Sequence, residues 1–187
     1  MSKLETNTID TVSGTTNLTI GSTNTSTITM PNGALSGQNY PAFHVFESTD
    51  QTGVSDNTWT TVQMDDVLFD TDSGFANDTY TIPSGKAGKY FFYAATRVLS
   101  ASATNYLERS FIRIFRTRSG ADTSMLQGGL DIRNNPAYQN SIKIQATFDC
   151  QAGDVYKLQG FGDVTSGNVT FANNSLQTYF GAFRIGA

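Results

Sequence analysis

Gly88-Lys89-Tyr90-Phe91-Phe92-Tyr93-Ala94-Ala95-Thr96-Arg97-Val98-Leu99 is the most apolar stretch of the 187-residue chain, and it decides the fold class. Aromatic and β-branched residues without an internal proline read as a strand. Side chains of a strand alternate between two faces. Here both parities are apolar: Tyr90, Phe92, Ala94 and Val98 on one face, Phe91, Tyr93, Ala95 and Leu99 on the other. Such a strand needs cover on both sides. Phe111-Ile112-Arg113-Ile114-Phe115-Arg116 repeats the pattern, with Phe111 and Phe115 opposite Ile112 and Ile114. By contrast, Ile142, Ile144, Ala146 and Phe148 alternate with Lys143, Gln145, Thr147 and Asp149, the signature of one core face and one wet face.

Working outward, further short strands are predicted at Phe43 to Phe46, Trp59 to Val62, Val67 to Phe69, Thr79 to Ile82, Val155 to Gln159 and Gln177 to Ile185. Turn chemistry separates them, as in Asp70-Thr71-Asp72-Ser73-Gly74 and Pro83-Ser84-Gly85. No helical periodicity appears, so the body, residues 40–187, is expected to be an all-β antiparallel sandwich. The second cover for the doubly apolar strands must come from another subunit or from loops of the same chain. Aromatic enrichment marks interface cores, which points to an oligomer with Tyr90, Phe91, Phe92, Tyr93, Phe111, Arg113, Phe115, Phe180 and Phe183 as candidate interface residues. Arg113, between Phe111 and Phe115, needs a counter-charge across that interface or an aromatic ring to stack on.

Charged residues are 15% of the chain and the net charge is -4, with no basic run, so nucleic-acid binding is not expected. No run reaches transmembrane length and no membrane insertion is expected. The N-terminus lacks the apolar stretch of a signal peptide, which predicts synthesis in a cytoplasm. Cys150 is the only cysteine and His44 the only histidine. The first reads as a free thiol and the second as a structural residue, because no nucleophile turn accompanies either. Asp65, Asp66, Asp70, Asp72 and Asp78 form the densest acidic cluster. Asp70-x-Asp72-x-Gly74 is half of a calcium loop without its later acidic ligands, and turn chemistry is the expectation. No catalytic residue, cofactor site or metal site is assigned. Loops Thr49–Asn57, Ser100–Asn105, Ser119–Met125 and Thr165–Asn168 are the expected carriers of polar binding contacts.

Four landmarks in sequence order resemble the globular head of complement C1q, which shares its jelly roll with the tumour necrosis factor family. They are Pro41-Ala42-Phe43-His44-Val45; Phe69 to Phe75 followed by Tyr80-Thr81-Ile82-Pro83 and Gly88-Lys89-Tyr90-Phe91-Phe92; Ala152-Gly153-Asp154-Val155-Tyr156-Lys157-Leu158; and Tyr179-Phe180-Gly181-Ala182-Phe183-Arg184-Ile185. The resemblance covers about residues 41–187. It implies a non-enzymatic, homotrimeric binding domain, and it extends to neither a collagen stretch nor a signal peptide.

Residues 1–36 are a separate segment, short and extended or β. No Asp, Glu, Lys or Arg occurs between residues 11 and 46, and apolar pairs recur at Ile9/Val12, Leu18/Ile20 and Ile28/Met30. Too few apolar residues are present to bury a core alone, so the segment is disordered, lies on another surface or intertwines with its copies. Leu4 to Gly14 resembles the opening of marine bacteriophage virion proteins. That resemblance implies a virion structural protein, such as a tail fibre, head fibre or capsid decoration; the alternative is a non-viral C1q-like module that binds a glycan or a protein. Ile9, Val12, Leu18, Ile20, Ile28 and Met30 would attach it to other virion proteins, and the head would face a host cell-surface glycan or protein.

Overall fold

The structure, a computed structural model, describes residues 40–173 and 175–186. The chain divides into two units, Met1–Gln38 and Asn39–Ala187. Everything expected of the attachment segment, including Ile9, Val12, Leu18, Ile20, Ile28 and Met30, lies outside the described residues.

Thirteen strands and no helix occur among the described residues: β1 (Ala42–Phe46), β2 (Gln51–Val54), β3 (Thr60–Thr61), β4 (Asp66–Asp70), β5 (Phe75–Ala76), β6 (Thr79–Thr81), β7 (Gly88–Ser100), β8 (Leu107–Arg118), β9 (Ala121–Asp131), β10 (Gln139–Cys150), β11 (Val155–Val164), β12 (Val169–Phe171) and β13 (Tyr179–Gly186). They form two antiparallel sheets. The first runs β2-β12-β7-β13-β1-β4 and adds β10 along β7. β7 is long enough to carry β13 against Lys89–Ala95 and β12 against Val98–Ser100 on one edge, with β10 along the other. The second sheet runs β5-β6-β11-β8-β9, with β3 added to β11. This is the expected jelly-roll sandwich.

The inward parities of the two sheets meet in an aromatic core. Phe43 stacks on Tyr80 at 4.0 Å between centroids, and Phe92 packs on Tyr156 at 4.5 Å, each pair joining one sheet to the other. Ile112, Ile114 and Leu158 of the second sheet are buried opposite Val45, Val98 and Phe180 of the first. At roughly 1.5–3 kcal/mol for each fully buried large side chain, these faces hold the two sheets together. Cys150 is a buried free thiol whose Sγ lies 3.2 Å from the Tyr156 hydroxyl.

The turn motifs are braces between strands. Gly153 takes a φ of 85°, which lets the chain reverse before β11. The Asp154 carboxylate then receives both Nε and a terminal nitrogen of Arg118, at 2.6 and 2.5 Å, and the Gln151 amide at 2.8 Å. In the Asp70–Gly74 turn, the Asp70 carboxylate accepts the Phe75 amide at 2.8 Å. Ser119 and Gly120, with φ of 50° and 80°, make the two-residue hairpin between β8 and β9.

Two of the predicted binding loops are corrected here. Thr49–Asn57 contains β2, and Ser119–Met125 contains the β8–β9 hairpin and the start of β9. Both strands are edge strands with few apolar side chains, so neither shows the alternation that betrays a buried strand.

Candidate functional site

The outward parity of the first sheet builds an exposed apolar surface. Register places His44 of β1 between Phe69 of β4 and Gly181 of β13, and Gly181 in turn beside Tyr93 of β7. Gly181 has no side chain because the Tyr93 ring occupies that space: a Cβ there would collide with the Tyr93 ring and lie 2.8 Å from the Phe43 carbonyl oxygen. Tyr93 thereby crosses β13 and brings its hydroxyl to 3.0 Å from His44 Nδ1. The His44 ring lies 6.1 Å from Phe69, 5.7 Å from Tyr93 and 5.6 Å from Tyr179, and Phe91 lies 5.4 Å from Phe183.

Beside this cluster is a depression of about 520 Å³ lined by His44, Phe46, Leu68, Ser175, Leu176 and Tyr179. Leu68 is 65% exposed, Leu176 76%, Ile185 51%, and Phe69 and Phe183 43% each. Burial pushes the His44 pKa down and the Tyr93 pKa up, the latter reinforced by Tyr179. Both groups are therefore neutral at pH 7, and the face presents rings and methyls with no charge from its centre. An apolar surface of this kind suits a protein contact rather than bond-making chemistry.

The nine candidate interface residues fall in three places. Tyr90, Phe92 and Phe180 are 0% exposed in the interior of the sandwich. That corrects the expectation for these three, because side chains spent on the subunit's own core have no surface to give a neighbour. Phe91, Tyr93 and Phe183 lie on the outer face of the first sheet. Phe111, Arg113 and Phe115 lie on the outer face of the second, away from the others, so the candidates form two patches and not one. Arg113 stacks on aromatic rings, with its guanidinium carbon 4.2 Å from the Trp59 centroid and 4.8 Å from that of Phe115.

His44 and Cys150 cannot act together, since His44 faces outward and Cys150 faces the core. Burial also pushes the thiol up to about 11, far from a reactive thiolate at neutral pH. The remaining predicted loops, Ser100–Asn105 and Thr165–Asn168, converge: Ala101 donates its amide to the Asn168 carbonyl at 3.0 Å, and Asn105 Nδ2 donates to the Ser166 carbonyl at 2.7 Å. Sequence reasoning missed Leu68, Phe69, Leu176 and Tyr179 as members of one surface, and Trp59 and Phe161 as members of the other. The signal for Phe161 was present: Lys157, Gln159 and Phe161 share a parity, but the predicted strand stopped at Gln159, whereas β11 runs on to Val164.

No family model matches the chain, and no curated protein does. Solved structures do match. Murine APRIL at pH 8.5 aligns with a TM-score of 0.57 and 13% identity over 79% of this chain and 100% of that one. The same protein at pH 8.0 gives 0.58 and 13% over 79% and 100%. The globular domain of zebrafish complement 1qA gives 0.54 and 17% over 78% of this chain and 97% of that one. The likeness is one of fold, and the sandwich is of the C1q/TNF type.

Proposed function

We propose that this chain is a non-enzymatic binding module that works as a homotrimer, with three copies packing through the outer face of the first sheet. The observation that carries the reading is the exposed, uncharged surface of Leu68, Phe69, Phe183 and Ile185 around the His44–Tyr93–Tyr179 cluster. Large exposed apolar surfaces on a folded subunit mark contact sites, and closed cyclic association uses such a surface without leaving it open to further growth. The C1q/TNF-type fold supports the same stoichiometry through the sequence resemblance. Phe91, Tyr93 and Phe183 are the members of the predicted set that serve this contact. Sedimentation equilibrium of the full chain is the test: three times the monomer mass is expected, and a monomer at micromolar concentration would overturn the proposal.

The finer reading is a bacteriophage virion protein: a fibre or knob anchored by residues 1–36, exposing the head of residues 40–187 for attachment to a host cell-surface glycan or protein. It rests on the leader resemblance at Leu4 to Gly14 and the uncharged run of residues 11–46. Capsid decoration without receptor binding is the sibling reading. Labelling purified particles with antibody against residues 40–187 tests both; unlabelled particles exclude a virion role.

A further inference from the structure

The outer face of the second sheet has a different chemistry. Across β9, β8 and β11, register aligns Gly129, Phe111 and Phe161 in one row, with Gln127, Arg113 and Gln159 on one side of it and Asp131, Arg109 and Asp163 on the other. Trp59, just before β3, extends the middle row: its ring lies 5.3 Å from Phe161, which lies 5.9 Å from Phe111. Gly129 carries no side chain where the Phe111 ring crosses β9. An aromatic row therefore runs across the sheet between two rows of planar amide, carboxylate and guanidinium groups. A shallow depression of about 250 Å³ lies on it, lined by Asn57, Trp59, Arg109, Phe111, Gln127 and Phe161. That is slightly below the roughly 300–1,000 Å³ of sites for drug-sized ligands, and fits a single sugar ring.

The arginines beside this row differ in what they have left to give. Arg109 is spent: it donates to Asp163 at 2.6 Å and to Asn57 at 3.1 Å. Arg113 is held as firmly but is unspent. Its Nε donates to Gln159 Oε1 at 2.8 Å, and Trp59 and Phe115 fix its plane. Among the described residues no carboxylate pairs with it and its terminal nitrogens find no acceptor. Desolvation lowers its pKa, as expected of a cation that has lost water without gaining a counter-charge. Lys157, 5.2 Å from the Phe115 centroid, adds a second cation with no carboxylate partner among the described residues. A pre-oriented guanidinium with free donors matches a carboxylate. Aromatic rings flanked by planar hydrogen-bonding side chains match the apolar C–H face and the hydroxyls of a pyranose.

We propose that this face is a saccharide-binding site for a pyranose bearing a carboxylate, the ring on Trp59 and Phe111, its carboxylate on Arg113 and its hydroxyls on Asn57 and Gln127. The proposal deepens the reading of the chain as a binding module and rests on it, since association through the first sheet leaves this face open.

Trp59 is the only tryptophan in the chain, so its fluorescence reports directly on the site. The full chain is titrated with trigalacturonate, its methyl ester and galactotriose at 0.15 M salt, with sedimentation run in parallel. A saturable change in Trp59 emission is expected with trigalacturonate, at least ten-fold weaker with the ester and with galactotriose. Arg113→Gln is expected to weaken trigalacturonate binding ten-fold or more with the thermal midpoint preserved. Gln127→Ala, which leaves the Arg113 stack intact, is expected to weaken it several-fold and guards against misfolding of the first variant. Equal response to all three sugars, no response to trigalacturonate, or an Arg113→Gln variant that folds and binds unchanged would each overturn the site. Trp59 emission that instead tracks protein concentration, with Arg113→Gln breaking the oligomer, would make this face a subunit contact and overturn it as well. A monomer that still binds trigalacturonate through Arg113 would sink the trimer and leave the site standing.

Discussion

At the scale of single residues, Glu47 is the group most out of place. It is 0% exposed just after β1, where one carboxylate oxygen accepts the Gln51 amide at 2.8 Å and the other has no partner among the described residues. Burial, reinforced by Asp65, Asp50 and Asp78, pushes its pKa up to about 8. Between about pH 4.5 and 8 the unfolded chain releases a proton that the folded chain keeps, so this group makes stability fall as pH rises through that window. Glu47→Gln removes the ionisation while keeping the acceptor for Gln51. The variant is expected to be more stable than the parent by about 1–3 kcal/mol at pH 8, and nearly equal to it at pH 4.5. Thermal midpoints across that range check the prediction: a parallel pair of curves for parent and variant would refute it.

At the scale of strands, what the sequence disclosed depended on where each strand gets its cover. β7, β8 and β10 were legible because their alternation, or its absence, is written in large apolar side chains that contact the opposite sheet. β9 and β2 were not, because edge strands are held by backbone pairing, and their polar and glycine-rich sequences match loops equally well. β12 is three residues, Val169–Phe171, too short for any periodicity, and it is held by pairing to β7 and by Phe171 filling the space over Gly160. Double apolarity correctly announced outward faces on β7 and β8, but parity alone does not say which parity points inward. Hence Tyr90, Phe92 and Phe180 were misassigned beside Phe91, Tyr93 and Phe183. The closing-strand glycine has its explanation only in the fold, where β13 must yield to a ring from β7. Gly181→Ala is accordingly expected to cost about 1–3 kcal/mol by overpacking. It should also displace Tyr93 from His44, seen as a return of the His44 imidazole titration toward its ordinary value by NMR. An unchanged His44 titration in a folded Gly181→Ala variant would show that the glycine is not there to admit Tyr93.

At the scale of the whole molecule, the two outer faces of the sandwich carry opposite chemistries and so divide the work. The first is apolar, neutral at its centre and broad. The second mixes rings with cations, two of which, Arg113 and Lys157, have no carboxylate partner among the described residues. A protein contact between identical subunits favours the first, since burying the unpaired Arg113 and Lys157 of the second would cost more than the rings return. Leu68→Asp and Phe183→Asp separate these roles, because both side chains are well exposed in the subunit and a carboxylate there leaves the fold of one copy intact. In a closed ring of three, each substitution recurs at every interface. A cost of about 2 kcal/mol per buried carboxylate sums to about 6 kcal/mol, or about four orders of magnitude in the association constant. Each variant is therefore expected to sediment as a folded monomer at micromolar concentration, with little change in far-ultraviolet circular dichroism. Lys157→Asp, on the opposite face, is expected to remain a trimer. Trimers from Leu68→Asp and Phe183→Asp, or a monomer from Lys157→Asp, would exchange the two faces: association would then belong to the second sheet, and the apolar surface around His44 would be left to meet a different protein.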